Sequence, residues 1–209
     1  MAVGGDLSAE RLIEAYKQGI FPWYSEESPI LWWNPNPRMV LFPRKLKISK
    51  SLKQEIKRNR FVVALNKNFV EVLHHCANTP RLGQNGTWLL PEMQNAYFSL
   101  HQLGLAHSVE VYLESKLVGG LYGIAMGEMF FGESMFSLLP NTSKLALNYL
   151  CHIMPETGII DCQVYTEHLE RMGAVEVPRD WFLTQVNHLR SLSGDWLGPH
   201  LNESLNRIL

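Results

Sequence analysis

The stretch GGLYGIAMGEMFFGESMFS runs from Gly119 to Ser137 and is the most informative part of the sequence about the fold. It is apolar and rich in glycine, and it is too interrupted for a helix. It predicts two adjacent strands, 117–126 and 129–136, because glycine inside a strand marks a bulge or the close approach of another backbone. We therefore expect a hairpin that meets a ligand in the middle of the chain.

Two carboxylates lie in apolar segments that read as buried strands. Glu133 sits in the middle of the stretch quoted above, and Asp161 sits at the edge of a second apolar segment, GIIDCQV, at 158–164. Carboxylates are rarely buried without a partner or a task. Two of them on separate buried strands make the chain an enzyme candidate.

The segment Asp161-Cys162-Gln163 predicts a polar pair at one site. In a regular strand Asp161 and Gln163 share a face and Cys162 points the other way. This spacing argues against Cys162 as a nucleophile. It favours a carboxylate that accepts a proton or a charge beside an amide that orients a substrate group. The alternative is a structural carboxylate at the end of the strand, which only accepts hydrogen bonds there.

Glu133 also allows two interpretations. A carboxylate between apolar walls suits the binding of a substrate ammonium or a catalytic hydrogen bond, whereas the alternative is a structural pair with Arg or Lys. Phe130 lies three residues earlier, so a regular strand places Phe130 and Glu133 on opposite faces. A bulge at Gly132 would bring them together.

The order of elements predicts an α+β fold, since helices and strands mix with hairpins in the middle. Ser8 is expected to cap the first helix, Ser49 the second, and Asn68 with Glu71 the third. Prolines between Pro22 and Pro37 predict a rigid, aromatic-rich segment without regular structure. Helices are predicted over 8–18, 49–58, 69–77, 91–103, 142–153, 167–172 and 180–190, and further strands over 61–66, 108–113, 159–164 and 174–177.

Length and composition fit one large domain or a medium domain with a small one, since 46% of the 209 residues are hydrophobic. The sequence contains no run of 18 apolar residues, so no membrane span is predicted. The first ten residues lack the features of a signal peptide. The three cysteines, Cys76, Cys151 and Cys162, have no CxxC spacing. They predict free thiols in a reducing cytoplasm.

The charge is unevenly distributed along the chain. Nine cations between residues 38 and 60 are opposed only by Glu55, so this segment carries +8 and the remainder −9, for a net charge of −1. A concentrated basic stripe is typical of a surface that binds a polyanion such as nucleic acid. A solvated helix face is the alternative.

Aromatic and histidine residues complete the set of candidates. Trp23 and Trp88 lie in non-helical contexts and suit base stacking, with core packing as the alternative. His74, His75 and His101 lack the spacing of metal ligands, so no metal site is expected.

Five sequence blocks in this order resemble the bacterial leucyl/phenylalanyl-tRNA–protein transferase family. The resemblance runs from Gly4 to about Arg190. It also implies a further segment before Gly4 that this sequence does not contain. The blocks are FPWY (21–24), ILWWNPNPR (30–38), GTW (86–88), the stretch at 119–137 and IIDCQV (159–164).

The resemblance implies a cytoplasmic enzyme that moves Leu or Phe, and less readily Met, from aminoacyl-tRNA to proteins beginning with Arg or Lys. The new N-terminus would mark the acceptor for degradation by the N-end rule. The implied fold is a small N-terminal domain, residues 1–37, followed by a GNAT-like (GCN5-related acetyltransferase-like) domain, residues 38–209. A monomer without metal, organic cofactor or membrane contact is expected.

The resemblance also implies roles for individual residues. Trp23 and Trp88 would hold the 3′-terminal adenosine, and Glu133, Asp161 and Gln163 would be the catalytic and substrate-orienting groups. An apolar pocket for the aminoacyl side chain would comprise Leu121, Phe130, Leu147, Leu150 and Ile160. The tRNA body would lie on the basic stripe, with salt-dependent affinity, at Arg44, Lys45, Lys47, Lys50, Lys53, Lys57 and Arg58.

The chain departs from the family at Leu150. Relatives often carry a larger aromatic residue at this position, which bears on the preference between Leu and Phe.

The expected reaction is direct peptide-bond formation, in which Asp161 with Gln163 accepts or stabilises the proton of the acceptor amine. Glu133 would hold the reacting ammonium or the ribose. Asp161 is then either a general base or an electrostatic anchor.

Two other functions stay open from the residues alone. An acetyl-CoA-dependent N-acetyltransferase on the same fold would need an R/Q-x-x-G-x-G/A loop for the pyrophosphate, and the nearest segment, 81–86, has the wrong spacing. An RNA-binding module without catalysis is the non-enzymatic alternative, against which Glu133, Asp161 and Gln163 argue.

Overall fold

The structure is a computed structural model that describes residues 2–80 and 89–197, and the backbone of 203–204. The helices are α1 (Ala9–Lys17), α2 (Lys50–Arg58), α3 (Phe69–Asn78), α4 (Pro91–Gln102), α5 (Thr142–Ile153), α6 (Glu167–Arg171) and α7 (Arg179–Leu189). The strands are β1 (Ala2–Val3), β2 (Phe21–Pro22), β3 (Leu31–Trp33), β4 (Arg38–Leu41), β5 (Val62–Leu65), β6 (Ala106–Leu113), β7 (Lys116–Met126), β8 (Met129–Ser137), β9 (Ile159–Gln163), β10 (Val175–Val177) and β11 (Glu203–Ser204).

The large sheet has the strand order β10-β4-β9-β8-β7-β6-β5-β11. Strands β7 and β8 form the predicted antiparallel hairpin at its centre. Strands β8 and β9 pair in parallel, and α5 lies in the connection between them, as a parallel pair requires a crossover. The mixed α+β architecture with a small N-terminal part is therefore confirmed, whereas the GNAT likeness and the division after residue 37 stay predictions.

The proline-rich segment contains regular structure, so that prediction was wrong. Strands β1, β3 and β2 form a small antiparallel sheet, in which Phe21 pairs with Trp33. Pro22 is tolerated because β2 is an edge strand and does not need the missing N–H group. Strand β4 begins at Arg38, directly after Pro37, and enters the large sheet between β9 and β10.

Two buried apolar clusters pack against the large sheet. One contains side chains of α1, α3, α4 and α7 together with Phe131 and Ile159 of the sheet. The other contains side chains of α2 and α5 together with Phe130 and Ile160. Successive residues of β8 and β9 thus divide between the clusters, as the alternation of a strand requires.

Two of the three predicted caps are confirmed. The Ser49 hydroxyl accepts the Leu52 N–H at 3.2 Å, and the Asn68 side chain accepts the Glu71 N–H at 3.3 Å. Ser8 precedes α1, but its hydroxyl donates to Asp6 at 2.6 Å instead of accepting from the helix. The cysteines are free thiols. Within the described ranges, no helix is long and apolar enough to cross a bilayer.

Candidate active site

A cavity of about 940 Å³ lies where β7, β8 and β9 meet α5. All five predicted pocket residues line it, and so do the predicted polar residues and one of the two tryptophans. The structure thus brings together Leu121, Phe130, Leu147, Leu150 and Ile160 with Glu133, Asp161, Gln163 and Trp23.

A bulge in β8 sets the position of Glu133. Gly132 pairs with Gly123 of β7. Ser134 pairs with Tyr122, so Glu133 is the extra residue between them. Bulges redirect side chains and are common beside active sites. The predicted bulge thus occurs one residue after the expected glycine, at the carboxylate itself.

The Glu133 carboxylate is held by three side chains from distant parts of the chain. The Tyr16 hydroxyl donates to Oε1 at 2.7 Å, and the Tyr97 hydroxyl donates to Oε2 at 2.7 Å. The Gln163 amide donates to Oε1 at 2.9 Å. Among the described residues, Glu133 makes no ion pair with Arg or Lys of the kind that the predicted alternative requires.

The environment of Glu133 favours proton exchange near neutral pH. Burial raises the pKa of Glu133 from 4.5 to about 7, although the hydrogen bonds from Tyr97 and Tyr16 act in the opposite direction. Burial also raises the pKa of both tyrosines well above the ordinary value, so they stay hydrogen-bond donors. A side chain whose pKa lies near the working pH is best suited to general acid–base catalysis.

Asp161 is paired with Arg38, and both side chains are fully buried. Arg38 Nε donates to Oδ1 at 2.7 Å and Nη2 donates to Oδ2 at 2.5 Å. The guanidinium lies over the rings of Phe21 and Phe182, at 4.8 and 4.6 Å from their centroids. Arg38 is one of the nine cations of the predicted basic stripe, and that assignment was wrong because its guanidinium is inside the protein.

Gln163 adopts an unusual backbone conformation beside Asp161. Its φ angle of 64° lies in the left-handed region, which costs a residue with a side chain roughly 1–3 kcal/mol. The Gln163 N–H donates to Asp161 Oδ1 at 2.9 Å, which offsets this cost. The register with β4 shifts at Cys162, so the predicted regular alternation is interrupted between Asp161 and Gln163.

Cys162 also lines the cavity, so it does not simply point away from its neighbours as predicted. Burial, followed by the charge of Asp161, raises the pKa of the Cys162 thiol well above its ordinary value. A protonated thiol is a poor nucleophile. This agrees with the interpretation that Cys162 is not the reactive group.

Trp23 presents an open aromatic surface at the cavity. It is 42% exposed, and the ring of Trp33 packs against it with centroids 6.0 Å apart. The Trp33 indole N–H donates to the Trp23 carbonyl at 2.7 Å and fixes the loop. Trp88 and the segment 81–86 lie outside the described residues.

The seven cations of the predicted tRNA surface are all exposed, on α2 and the segment before it. Arg44 pairs with Glu156, and Arg58 pairs with Glu55 at 2.7 Å. The lysines make no ion pair with any described residue, and this face therefore carries uncompensated positive charge: Lys45, Lys47, Lys50, Lys53 and Lys57.

Three residues of this site were not identified from the sequence. Tyr16 and Tyr97 lie in the predicted helices 8–18 and 91–103 with no sign of a role at the site, and Arg38 is one of the nine cations of the basic stripe. The signal for Arg38 was its place at the start of the apolar run MVLF at 39–42. No group of His, Cys, Asp and Glu that could hold a metal ion occurs among the residues that the structure describes.

Comparisons with known proteins agree on one family. The family model "Leucyl/phenylalanyl-tRNA protein transferase" matches residues 40–187, and the model of the N-terminal domain of the same transferase matches residues 5–36. Proteins named leucyl/phenylalanyl-tRNA–protein transferase are similar to the chain. The one from Nitrosomonas eutropha is 56% identical over 181 residues, which are 86% of this chain and 77% of the relative.

Two further relatives and one solved structure extend the comparison. The transferase of Syntrophobacter fumaroxidans is 54% identical, and the match covers 88% of this chain and 80% of the relative. The transferase of Hydrogenovibrio crunogenus is 49% identical, and the match covers 96% of this chain and 83% of the relative. A conserved protein of unknown function from Bacteroides thetaiotaomicron aligns with a TM-score of 0.45 at 13% identity, over 82% of this chain and 59% of that chain. This structural likeness is too weak to bear on the fold.

Proposed function

The chain belongs to the leucyl/phenylalanyl-tRNA–protein transferase family, and we propose that it transfers Leu or Phe, and less readily Met, to the N-terminal Arg or Lys of acceptor proteins. It is an aminoacyltransferase, and the donor is the aminoacyl-tRNA. The product would carry a new N-terminus that marks it for degradation by the N-end rule. The observation that carries this proposal is the apolar cavity of about 940 Å³ that contains the Glu133 carboxylate.

The cavity suits an apolar aminoacyl side chain that is not branched at Cβ, beside a nucleotide. Its apolar wall would take the Leu or Phe side chain, and Trp23, together with Trp88, would stack on the terminal adenosine. One methylene is worth only ~1–3 kcal/mol in such a pocket, so some transfer of Met is expected. Shape at the pocket mouth would exclude Val and Ile, whose side chains branch at Cβ.

The reaction forms the amide bond between the aminoacyl carbonyl carbon and the acceptor nitrogen, and it breaks the ester bond to the terminal ribose. The ester is already activated, so the enzyme mainly positions two substrates. We assign to Glu133 the proton that the acceptor ammonium loses, because its pKa is raised to about 7 and its carboxylate lines the cavity. That proton then passes to the leaving ribose oxygen, and the second proton that the nitrogen loses as the amide forms is released to water.

Asp161 and Gln163 support this chemistry in different ways. The ion pair with Arg38 compensates the charge of Asp161, whose side chain is fully buried. This favours the electrostatic anchor over the general base among the two roles that the sequence left open. Gln163 would orient the reacting groups through its amide, which contacts Glu133.

The remaining parts of the proposal rest on family membership. The exposed lysines of α2 and the segment before it would hold the tRNA body through its phosphates, so affinity should fall steeply with salt. We also propose a cytoplasmic monomer without cofactor, with a small N-terminal domain over 1–37 and a GNAT-like domain over 38–209.

The test is transfer of labelled Leu from leucyl-tRNA to a protein beginning with Arg, beside the same protein beginning with Ala. Labelling of the Arg form alone supports both the reaction and the acceptor preference. Bound tRNA without labelling of either form would favour an RNA-binding module. A rise in melting temperature with acetyl-CoA would favour an N-acetyltransferase.

A further inference from the structure

We propose that Arg38 is a positioning residue for the transfer reaction, which acts through Asp161 and the backbone of Gln163 to place the amide that holds Glu133. The inference rests on the proposed function of this site. It gives a role to a cation that touches neither the cavity nor any substrate. Three contacts in series carry it.

The first contact fixes the Arg38 guanidinium in one position. The side chain is fully buried, and it makes two parallel hydrogen bonds to Asp161. Phe21 of β2 and Phe182 of α7 cover the guanidinium, so three elements hold it. Two parallel bonds of this kind set geometry as well as charge, and a lysine ammonium cannot reproduce them.

The second contact passes from Asp161 to the backbone of Gln163. Asp161 Oδ1 accepts from Arg38 Nε and also from the Gln163 N–H, at 2.7 and 2.9 Å. The left-handed backbone at Gln163, with φ of 64°, is disfavoured for a residue with a Cβ. The Asp161 carboxylate therefore has to stay in place for this conformation to persist.

The third contact joins Gln163 to Glu133. The Gln163 amide donates to Glu133 Oε1, the same oxygen that accepts from Tyr16. A change in the Gln163 backbone would move this amide away from the carboxylate. Loss of Arg38 geometry should therefore reach Glu133 although the two residues are not in hydrogen-bond contact.

The test compares wild type with Arg38→Lys, which keeps the charge and removes the parallel hydrogen bonds. With phenylalanyl-tRNA as donor, we expect kcat to fall ~10-fold with KM for the tRNA within about twofold, because positioning acts on the chemical step. By NMR, hydrogen exchange of the Gln163 backbone N–H should be at least ~10-fold faster in the variant than in wild type, after correction for any change in global unfolding. Unchanged kcat or unchanged Gln163 exchange would overturn the proposal.

The matched control is Glu110→Gln, which alters another fully buried carboxylate network. Its partners do not line the cavity, so kcat and relative exchange at Gln163 should stay at wild-type values. A loss of kcat in Glu110→Gln as large as that in Arg38→Lys would show that kcat merely follows stability, and it would overturn the proposal.

A second variant guards against a failure of Arg38→Lys to fold. Phe182→Leu removes one of the two rings that cover the Arg38 guanidinium. It should lower kcat by about threefold at unchanged KM. A wild-type kcat would contradict the inference. The two proposals fail separately. Absence of transfer by wild type would refute the proposed function, while exchange at the Gln163 amide still tests the contact series.

Discussion

Two buried carboxylates on the same sheet differ in what surrounds them. Glu110 of β6 is fully buried, and it accepts hydrogen bonds from Ser108 and Tyr112 of its own strand and from the Asn68 N–H. Glu133 of β8 is 8% exposed and lines the cavity. Both carboxylates are well supplied with donors, so burial and hydrogen bonding alone do not distinguish a site from a structural element.

The difference lies in where the donors come from. The partners of Glu110 are two residues away on the same strand or at the start of α3. The partners of Glu133 are Tyr16, Tyr97 and Gln163, which lie on α1, α4 and β9. Burial raises the pKa of Glu133 despite these donors, and its carboxylate lines the cavity, so a raised pKa and access to ligand together support an active site.

The largest expected effect separates the two carboxylates by activity. Glu133→Gln keeps the size of the side chain but removes the proton acceptor, so kcat for transfer from phenylalanyl-tRNA should fall by ~10²–10⁴. Steady-state transfer assays, with tRNA binding measured in parallel, check this. A loss of less than about fivefold with intact tRNA binding would remove Glu133 from the proton-transfer role.

The next effect concerns stability and sharpens the contrast with Asp161. Asp161→Asn leaves the Arg38 guanidinium buried without its anionic partner, so the free energy of unfolding should fall by about 3–5 kcal/mol. Urea denaturation of this variant and of wild type measures the difference. A change below about 1 kcal/mol would mean that the ion pair is not needed to hold the fold.

A third effect depends on pH. The folded-state pKa of Glu133 is about 7 against an ordinary 4.5, so the folded protein binds this proton more tightly than the unfolded chain. The associated stability is present below pH 4.5 and is lost as pH rises through 7.

Glu133→Gln should therefore gain about 3 kcal/mol of unfolding free energy relative to wild type between pH 4 and pH 8. Denaturant unfolding at the two pH values gives the comparison. A difference between variant and wild type that does not change with pH would show that Glu133 does not titrate in this interval.

The smallest effect belongs to Glu110. Glu110→Gln presents an amide nitrogen to hydroxyl and N–H donors that need an acceptor, so the free energy of unfolding should fall by about 1–3 kcal/mol. Turnover should stay within about twofold of wild type, because no partner of Glu110 lines the cavity. A large loss of turnover would erase the contrast between the two carboxylates.

Local patterns in the sequence predicted much of the fold. Apolar periodicity and capping residues identify helices such as α2 and α3, and the glycine-rich run identifies the β7–β8 hairpin. These features depend on residues a few positions apart. Strands β2, β3 and β4 were missed because nearby prolines suggested irregular structure, while their pairing partners lie elsewhere in the chain.

The sequence indicated which residues meet at the site, but their contacts are long-range. Arg38 and Asp161 are separated by 123 residues, and no local pattern assigns one cation of the basic stripe to a buried carboxylate. Asp161 and Gln163 share a face only if the strand is regular between them. The register shift at Cys162 and the left-handed Gln163 replace that regularity with a local hydrogen bond.

The first 37 residues contribute side chains to the core of the site, and this has a consequence for inheritance. Tyr16 donates to Glu133, and the ring of Phe21 covers Arg38. A chimera that takes this segment from a distant relative would place that relative's residues at positions 16 and 21. They would then have to fit against Tyr97 and Phe182 of this chain. The first 37 codons and the rest of such a gene are therefore expected to be inherited as a set, and exchange should succeed only between relatives that share all four side chains.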